Sequence, residues 1–465
     1  MNRLKLIILC LPFVTIGQNI NYSEDIAPII YNKCLMCHHS GGIGPFSFET
    51  YSNTVSNIGM IQHVVSNGEM PPWPPDTNYQ RYAYENILSS FEISLFTDWI
   101  NDGVPIGDTS LLPTLPSFSN NNNLGVPDLE IQIPTYSSIA SSNSDDYVCF
   151  SIPSGLINDR QVRAIEVVPG NPQIVHHVLV AIDEFGFSSG ITQNCMAPTG
   201  DQVYTYAPGS KPMEFPTNQN NIFGIEIPSN SNINLGLHYP EGSFGQVDST
   251  KVRFYFYPQN TTIREIYTDY LINEGLPPNP PFYIPPNQIT QISSSFGPLS
   301  NDMSVMSIYP HMHMLGKEME CYAVTPTSDT INLIRINKWD FDWQGAYLFK
   351  KFIKIPAGSM IYATGSYDNT ISASNPNPIM VQSGLNTDDE MFIFIFQYTD
   401  YQLGDENIFI EEQFNASSTS NIADNFLKKI ILKTNLLGKR SRSIKNNVSI
   451  FIHEDGEFEK KIILD

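Results

Sequence analysis

The chain has 465 residues, with 25 basic against 47 acidic side chains and a formal net charge of -22. That length is too great for one ordinary core and implies several domains. The charge argues against nucleic acid or an anionic membrane as partner. Charged residues make up only 15% of the chain, while Asn, Ser, Pro, Gly and Tyr are frequent, which favours strands and turns over long helices.

Residues 1–17 read as a signal peptide: Arg3 and Lys5 form a basic start, residues 6–16 an apolar run, and Gly17 a small residue at a plausible cleavage point. Cys10 follows Leu9 rather than a small residue, so a lipid anchor is not expected. No later stretch reaches the roughly 20 apolar residues of a membrane span. The expectation is an exported, soluble protein: periplasmic, cell-surface or extracellular. Cys34, Cys37, Cys149, Cys195 and Cys321 remain after signal removal.

Residues 18–112 mix short helical patterns, such as SFEISLFTDWIND, with the turn-rich GGIGPF and MPPWPPD stretches, as suits a small helical domain. Within it, Cys34-Leu-Met-Cys37-His38 has the CxxCH spacing that attaches a c-type haem. The two thiols on one turn add to the haem vinyl groups, and the adjacent imidazole then sits under the iron. The alternative, half of a zinc site, lacks a second Cys/His pair nearby. His39 reads as an exposed neighbour. For the sixth iron ligand, Met70 in Gly68-Glu-Met-Pro-Pro-Trp73 is the better candidate, with Met60 and His63 as competitors. The stretch from GGIGPFSFETYSN to MPPWPPD resembles a subgroup of bacterial cytochromes c.

A Pro- and Asn-rich linker follows over 113–127. From about 128 to 412, short strand-like runs alternate with turns, as in QVRAIEVV, PGNP and QIVHHVLVAI, which points to two tandem β-sandwiches. Five of the nine histidines fall in this region. His311 and His313 are two apart, so on a strand both leave one face and can share a metal. His176 and His177 are adjacent, so joint ligation requires a twist, a bulge or use of different ring nitrogens. His238 lies on the face opposite Ile233, Leu235 and Leu237. Each of these taken alone is better read as a hydrogen-bonded, partly buried ring; together they point to metal ligation. Imidazole-rich sites suit copper and zinc, and an added thioether, for which Met391 is available, favours copper. Met391 also fits a core position.

Together these residues resemble the copper type II, ascorbate-dependent monooxygenases, the peptidylglycine and dopamine hydroxylating family, over about 128–412. The resemblance implies that His176, His177 and His238 hold one copper that stores an electron. It implies that His311, His313 and Met391 hold a second copper, the catalytic one, where oxygen is activated. It further implies two antiparallel sandwiches facing one another across a solvent cleft. The segment YAPGSKP lies between the His-His pair and His238, as in the family. Phe392 stands where the family commonly has a disulfide cysteine, so less cross-linking is expected, with Cys149–Cys195 as the pair. Nothing identifies the substrate. The run 427–465, with NLLGKR and FIHEDGEFEKKIIL, resembles a type IX secretion sorting domain; a small capping β-module is the alternative.

The expected organisation is therefore multidomain. A small α-helical cytochrome c domain (18–112) and a linker (113–127) precede two antiparallel, jelly-roll-like β-sandwich copper domains (128–264 and 265–414). A small β-module (415–465) closes the chain. The expected activity is hydroxylation of a C–H bond in a small organic or peptide substrate with O2, using two coppers. One covalent haem c relays electrons, or ascorbate serves as reductant. Two other readings stay open: a haem/copper electron-transfer or copper-binding protein without hydroxylase activity, and a zinc-binding adhesion module.

Overall fold

Alternating burial along the strands builds most of the protein, and it is seen in a computed structural model. The structure describes residues 20–116, 124–142, 144–195, 197–218, 221–273, 281–384 and 388–410, and the backbone of three further strands. The export signal read over residues 1–17 and much of 415–465 lie outside the described residues. The chain divides into two units, Met1–Phe414 and Asn415–Asp465. In the second, strands Ile430–Asn435, Asn447–His453 and Phe458–Ile463 form one antiparallel sheet in sequential order.

The first unit opens with helices. Asn21 caps a π-helical turn, Tyr22–Ile26, that runs into α1 (Ala27–Lys33). Helices α2 (Tyr51–Ser56) and α3 (Ile58–Ser66) follow, and then α4 (Ser90–Asn101), which starts with a capping box in which Ser89 and Glu92 each bond the other's amide. Tyr22, Ile26, Ile30, Leu35, Phe48, Ile61, Phe96 and Trp99 form their common core. Full burial of each such apolar side chain is worth roughly 1.5–3 kcal/mol. Trp99 buries its ring by donating its Nε1 proton to the Pro105 carbonyl at 3.0 Å.

Residues 73–85 leave these helices and dock on the second sandwich. Pro75 bridges to Ile336 and Tyr82 to Phe349. Tyr82 is fully buried and donates its hydroxyl to Leu333 O at 2.7 Å, and Trp73 packs edge-on against Tyr347 at 5.3 Å. The prolines suit an extended segment laid on another surface, since they need no amide partner.

The first sandwich pairs a six-stranded sheet with a five-stranded one. The five-stranded sheet runs Gly190–Gln193, Asp146–Pro153, Asn232–Tyr239, His177–Asp183, Asp201–Tyr206. Its central strand, Asn232–Tyr239, is buried on both faces. Ile233, Leu235 and Leu237 enter the core between the sheets. The opposite face is polar yet covered: Asn234 donates to Thr199 O at 2.7 Å, and a Cβ on Gly236 would meet Pro198 at 2.9 Å. Cys149 and Cys195 form a disulfide at this sheet.

The second sandwich packs Tyr267–Ile272, Ile393–Asp400, Met303–His311 and Tyr347–Ile355 against Ile289–Phe296, Met360–Asp368, Gly316–Val324 and Thr330–Ile336. The two sandwiches share buried contacts. Phe223 meets Phe352 at 4.8 Å between ring centroids, and Arg264 makes a two-pronged ion pair with Asp405. Among the described residues no helix is long and apolar enough to cross a membrane.

Candidate metal centres and the CxxCH turn

His238 and His177 are paired residues of neighbouring strands, so their side chains share one face. His176 precedes the strand His177–Asp183, and its amide donates to His238 O at 3.0 Å. Irregular backbone at His176 therefore resolves the conflict of two adjacent histidines on one site. The three rings converge by the same atom: His176 Nδ1 is 3.2 Å from His238 Nδ1, which is 3.4 Å from His177 Nδ1. An ion bound tetrahedrally at about 2.0–2.1 Å would space its nitrogens by about 3.3 Å. The triad fits a metal on that ground. His177 Nε2 is buried without a hydrogen-bond partner, so that nitrogen is committed to nothing else. His238 is held from behind, with Asp145 Oδ2 3.2 Å from Nε2 and the Tyr147 ring stacked at 4.3 Å. Burial and the neighbouring His238 push His176 down to about 4, and burial with His176 and His238 pushes His177 well below its ordinary value. Neutral imidazole is the ligating form.

His311 ends the strand Met303–His311 opposite Ile393 in the register, and His313 follows two residues on. Their rings stand 5.1 Å apart at 84°. Here the Nδ1 atoms are engaged: His311 Nδ1 donates to Gln344 Oε1 at 2.5 Å and His313 Nδ1 to Asp389 O at 3.1 Å. Nε2 is thereby the nitrogen offered by each ring, in contrast to the first triad. Burial and His313 push His311 down to about 3. The paired register ends at His311 and Ile393, two residues short of both His313 and Met391. The Met391 carbonyl accepts from Tyr367 OH at 2.6 Å. Glu390, fully buried, accepts from His313 N at 2.9 Å and Leu315 N at 2.5 Å and so fixes the turn after the strand. Its burial pushes the carboxyl up to about 8. Phe392 is fully buried against Gly365.

Cys34, Cys37 and His38 occupy one helical turn, with His38 N donating to Cys34 O at 3.0 Å. Both cysteines are free, and burial pushes Cys34 up to about 12 and raises Cys37. His38 Nδ1 donates to Phe46 O at 2.9 Å, and its ring stacks on Phe48 at 4.5 Å, which leaves Nε2 as its acceptor nitrogen. A Cβ on Gly44 would meet His38 Nδ1 at 2.7 Å, so the GGIGPF loop folds tightly around the imidazole. Two thiols and a fixed imidazole on one turn fit covalent haem attachment. Met70 lies past the end of α3, its amide bonded to Val64 O, and is 41% exposed. Met60 is also exposed, and His63 contacts Asn67 on the helix surface.

Residues 339–344, Trp-Asp-Phe-Asp-Trp-Gln, were not singled out by sequence pattern, yet they touch both histidine groups. Trp339 Nε1 donates to His313 O at 3.2 Å, Phe341 meets His313 edge-on at 6.2 Å, and Gln344 holds His311. The backbone of Asp342 lies beside the His176 ring.

The pair of β-sandwiches thus carries one three-histidine group that could hold a metal ion and a second His-x-His group. Residues 277–419 match the model of the copper type II ascorbate-dependent monooxygenase C-terminal domain, a copper-dependent oxidoreductase family. The match contains the second sandwich except its strand Tyr267–Ile272, with His311, His313 and Met391; the first sandwich and the helices lie outside it. No curated protein matches. Among solved structures, the major capsid protein P2 of bacteriophage PM2 is 9% identical with a TM-score of 0.24, covering 60% of this chain and 100% of that one. The infectious bursal disease virus VP2 subviral particle is 9% identical with a TM-score of 0.18, covering 63% and 76%. An oxalate decarboxylase of Bacillus subtilis is 8% identical with a TM-score of 0.15, covering 63% and 81%. At such scores the likenesses carry no argument.

Proposed function

We propose that this is an exported copper monooxygenase that hydroxylates a C–H bond of a small organic or peptide substrate with O2, and that its haem domain supplies electrons. The observation that carries the reading is the convergence of the Nδ1 atoms of His176, His177 and His238 in a chain whose residues 277–419 match the copper monooxygenase domain. His176, His177 and His238 would hold one copper, His311, His313 and Met391 the other, and Cys34, Cys37 and His38 a haem c with Met70 as sixth ligand. When bound, the coppers supply one-electron redox chemistry and oxygen activation, and the haem one-electron transfer.

The chain's own groups orient the ligands. The Asp145 carboxylate, 3.2 Å from His238 Nε2, favours a proton on that nitrogen and a free Nδ1 facing the triad, while Gln344 and the Asp389 carbonyl accept the Nδ1 protons of His311 and His313. Glu390 locks the backbone between His313 and Leu315. Burial keeps His176 and His311 neutral at physiological pH, ready to ligate. The thioether of Met391 favours the reduced, softer copper. Tethering the haem domain to the same chain raises its effective concentration at the copper domains, and ascorbate is the family's alternative reductant. The Cys149–Cys195 disulfide suits an oxidising compartment outside the cytoplasm, and 427–465 supports export by type IX secretion.

Oxygen consumption with reductant and a panel of organic substrates tests this reading. Met391→Ala is expected to abolish substrate-dependent uptake while leaving the haem spectrum unchanged. Uptake that survives the substitution removes Met391 from the oxygen site.

A further inference from the structure

We infer that residues 339–344, through Trp343, form the path by which an electron passes from the CxxCH turn to the centre of His176, His177 and His238. The inference rests on the haem and copper binding proposed above.

Gly209, in the loop Tyr206-Ala-Pro-Gly-Ser210, marks the junction. A Cβ placed on it would meet Cys37 Sγ at 3.1 Å, Trp343 Cη2 at 3.5 Å and Trp343 Cζ3 at 3.8 Å. Cys37 and the six-membered ring of Trp343 therefore close on the same point from the helical domain and the second sandwich. Gly209 also has φ +84°, which favours glycine on conformational grounds as well. Cys37 Sγ is the atom that becomes the covalent edge of a c-type haem. A haem held by Cys37 would thus be attached on the side of the thiol's neighbour Trp343.

From Trp343 two branches reach the histidines. The Trp343 nitrogen is joined directly to the Asp342 carbonyl carbon, and the Asp342 backbone lies beside the His176 ring. The other branch must cross the next peptide and the whole Gln344 side chain before Oε1 meets His311 Nδ1 at 2.5 Å. Electronic coupling falls steeply with the number of bonds and gaps crossed, so the shorter branch assigns electron entry to the His176 centre. The helical domain is anchored in this pose. Ala83 N donates to Leu348 O at 2.8 Å, Lys211 Nζ lies 4.9 Å over the Tyr84 ring, and Lys33 Nζ donates to Glu85 O at 3.4 Å.

The step balances as one electron: ferrous haem becomes ferric, one copper(II) becomes copper(I), and no bond or proton need move. An external one-electron donor restores the haem. In the oxygen-free full-length holoprotein, mixing the oxidised form with less than one equivalent of dithionite should raise the ferrous haem absorbance. That absorbance should then decay as the copper(II) paramagnetic resonance signal falls by a matching number of electrons. Trp343→Leu should slow the decay roughly tenfold or more, with unchanged copper content and haem spectrum, and Trp343→Phe should fall between the two. His238→Ala should abolish the decay. A Leu variant that matches the wild-type rate, or a His238→Ala protein that still transfers, overturns the route. Wild-type haem that is reduced but never passes its electron on defeats the haem-relay reading itself, and the route with it. If the Leu variant does not fold, the Phe and His238 variants decide.

Discussion

Asp145 Oδ2 lies 3.2 Å from His238 Nε2, on the side of the ring away from the two other histidines. The carboxylate, with 12% of its side chain exposed, favours by its charge the tautomer that turns the Nδ1 lone pair inward. Asp145→Asn should therefore weaken copper binding at the triad by about 10–100-fold while leaving the second centre unchanged. Competition against a copper(I) chelator measures this, and equal affinities in both proteins would show Asp145 to be a bystander.

Gln344 performs the matching task for His311, accepting its Nδ1 proton while Gln344 Nε2 donates to Phe341 O at 2.8 Å. Gln344→Leu frees the His311 ring to turn. Copper affinity at the second centre should drop by roughly tenfold or more, read in the same titration, with no change at the triad.

The candidate ligands could be picked out of the sequence because few residue types do this chemistry. His-His, a single His, His-x-His, and CxxCH are spacings that survive without knowledge of the fold, and strand periodicity placed His238 opposite Ile233, Leu235 and Leu237. Their supporting groups were not legible. Asp145 and Gln344 are ordinary loop residues, 93 and 33 positions from the histidines they hold by subtraction of their numbers in the chain, and only the fold brings them close. The docking of residues 73–85 was hidden for the same reason. Its prolines read as a local loop, whereas the bridges from Pro75 to Ile336 and from Tyr82 to Phe349 join it to a distant sandwich. The polar face of Asn232–Tyr239 suggested exposure, yet His238 is 5% exposed, with the Tyr147 ring stacked on it and Asp145 at its Nε2.

Arg264 and Asp405 tie the link between the sandwiches to the segment after the last strand. Asp405 takes two bonds from Arg264, at 2.6 and 2.7 Å, one from Ser304 Oγ at 2.7 Å and one from Gln402 N at 2.9 Å. Asp405→Ala leaves the guanidinium largely buried and unpaired, which should cost about 3–5 kcal/mol. The pH dependence follows from its direction: despite burial, these donors hold the Asp405 carboxyl below its ordinary 3.8. Its contribution is present above that value and is lost as pH falls through the lower, folded value. Urea midpoints at pH 7 and pH 3 should therefore differ less in the variant than in the wild type.

The disulfide closes a loop of sequence separation 46. Cys149→Ser with Cys195→Ser should destabilise the first sandwich by about 4 kcal/mol on the loop-entropy estimate. Thermal unfolding with and without a reducing agent measures it; a wild-type protein insensitive to reductant would contradict the estimate.

Metal analysis of the purified full-length protein tests the central claim most directly. Two coppers and one iron per chain, with both coppers reducible, are expected from the two histidine groups and the CxxCH turn. Zinc in place of copper, or a single copper per chain, would contradict the two-copper account.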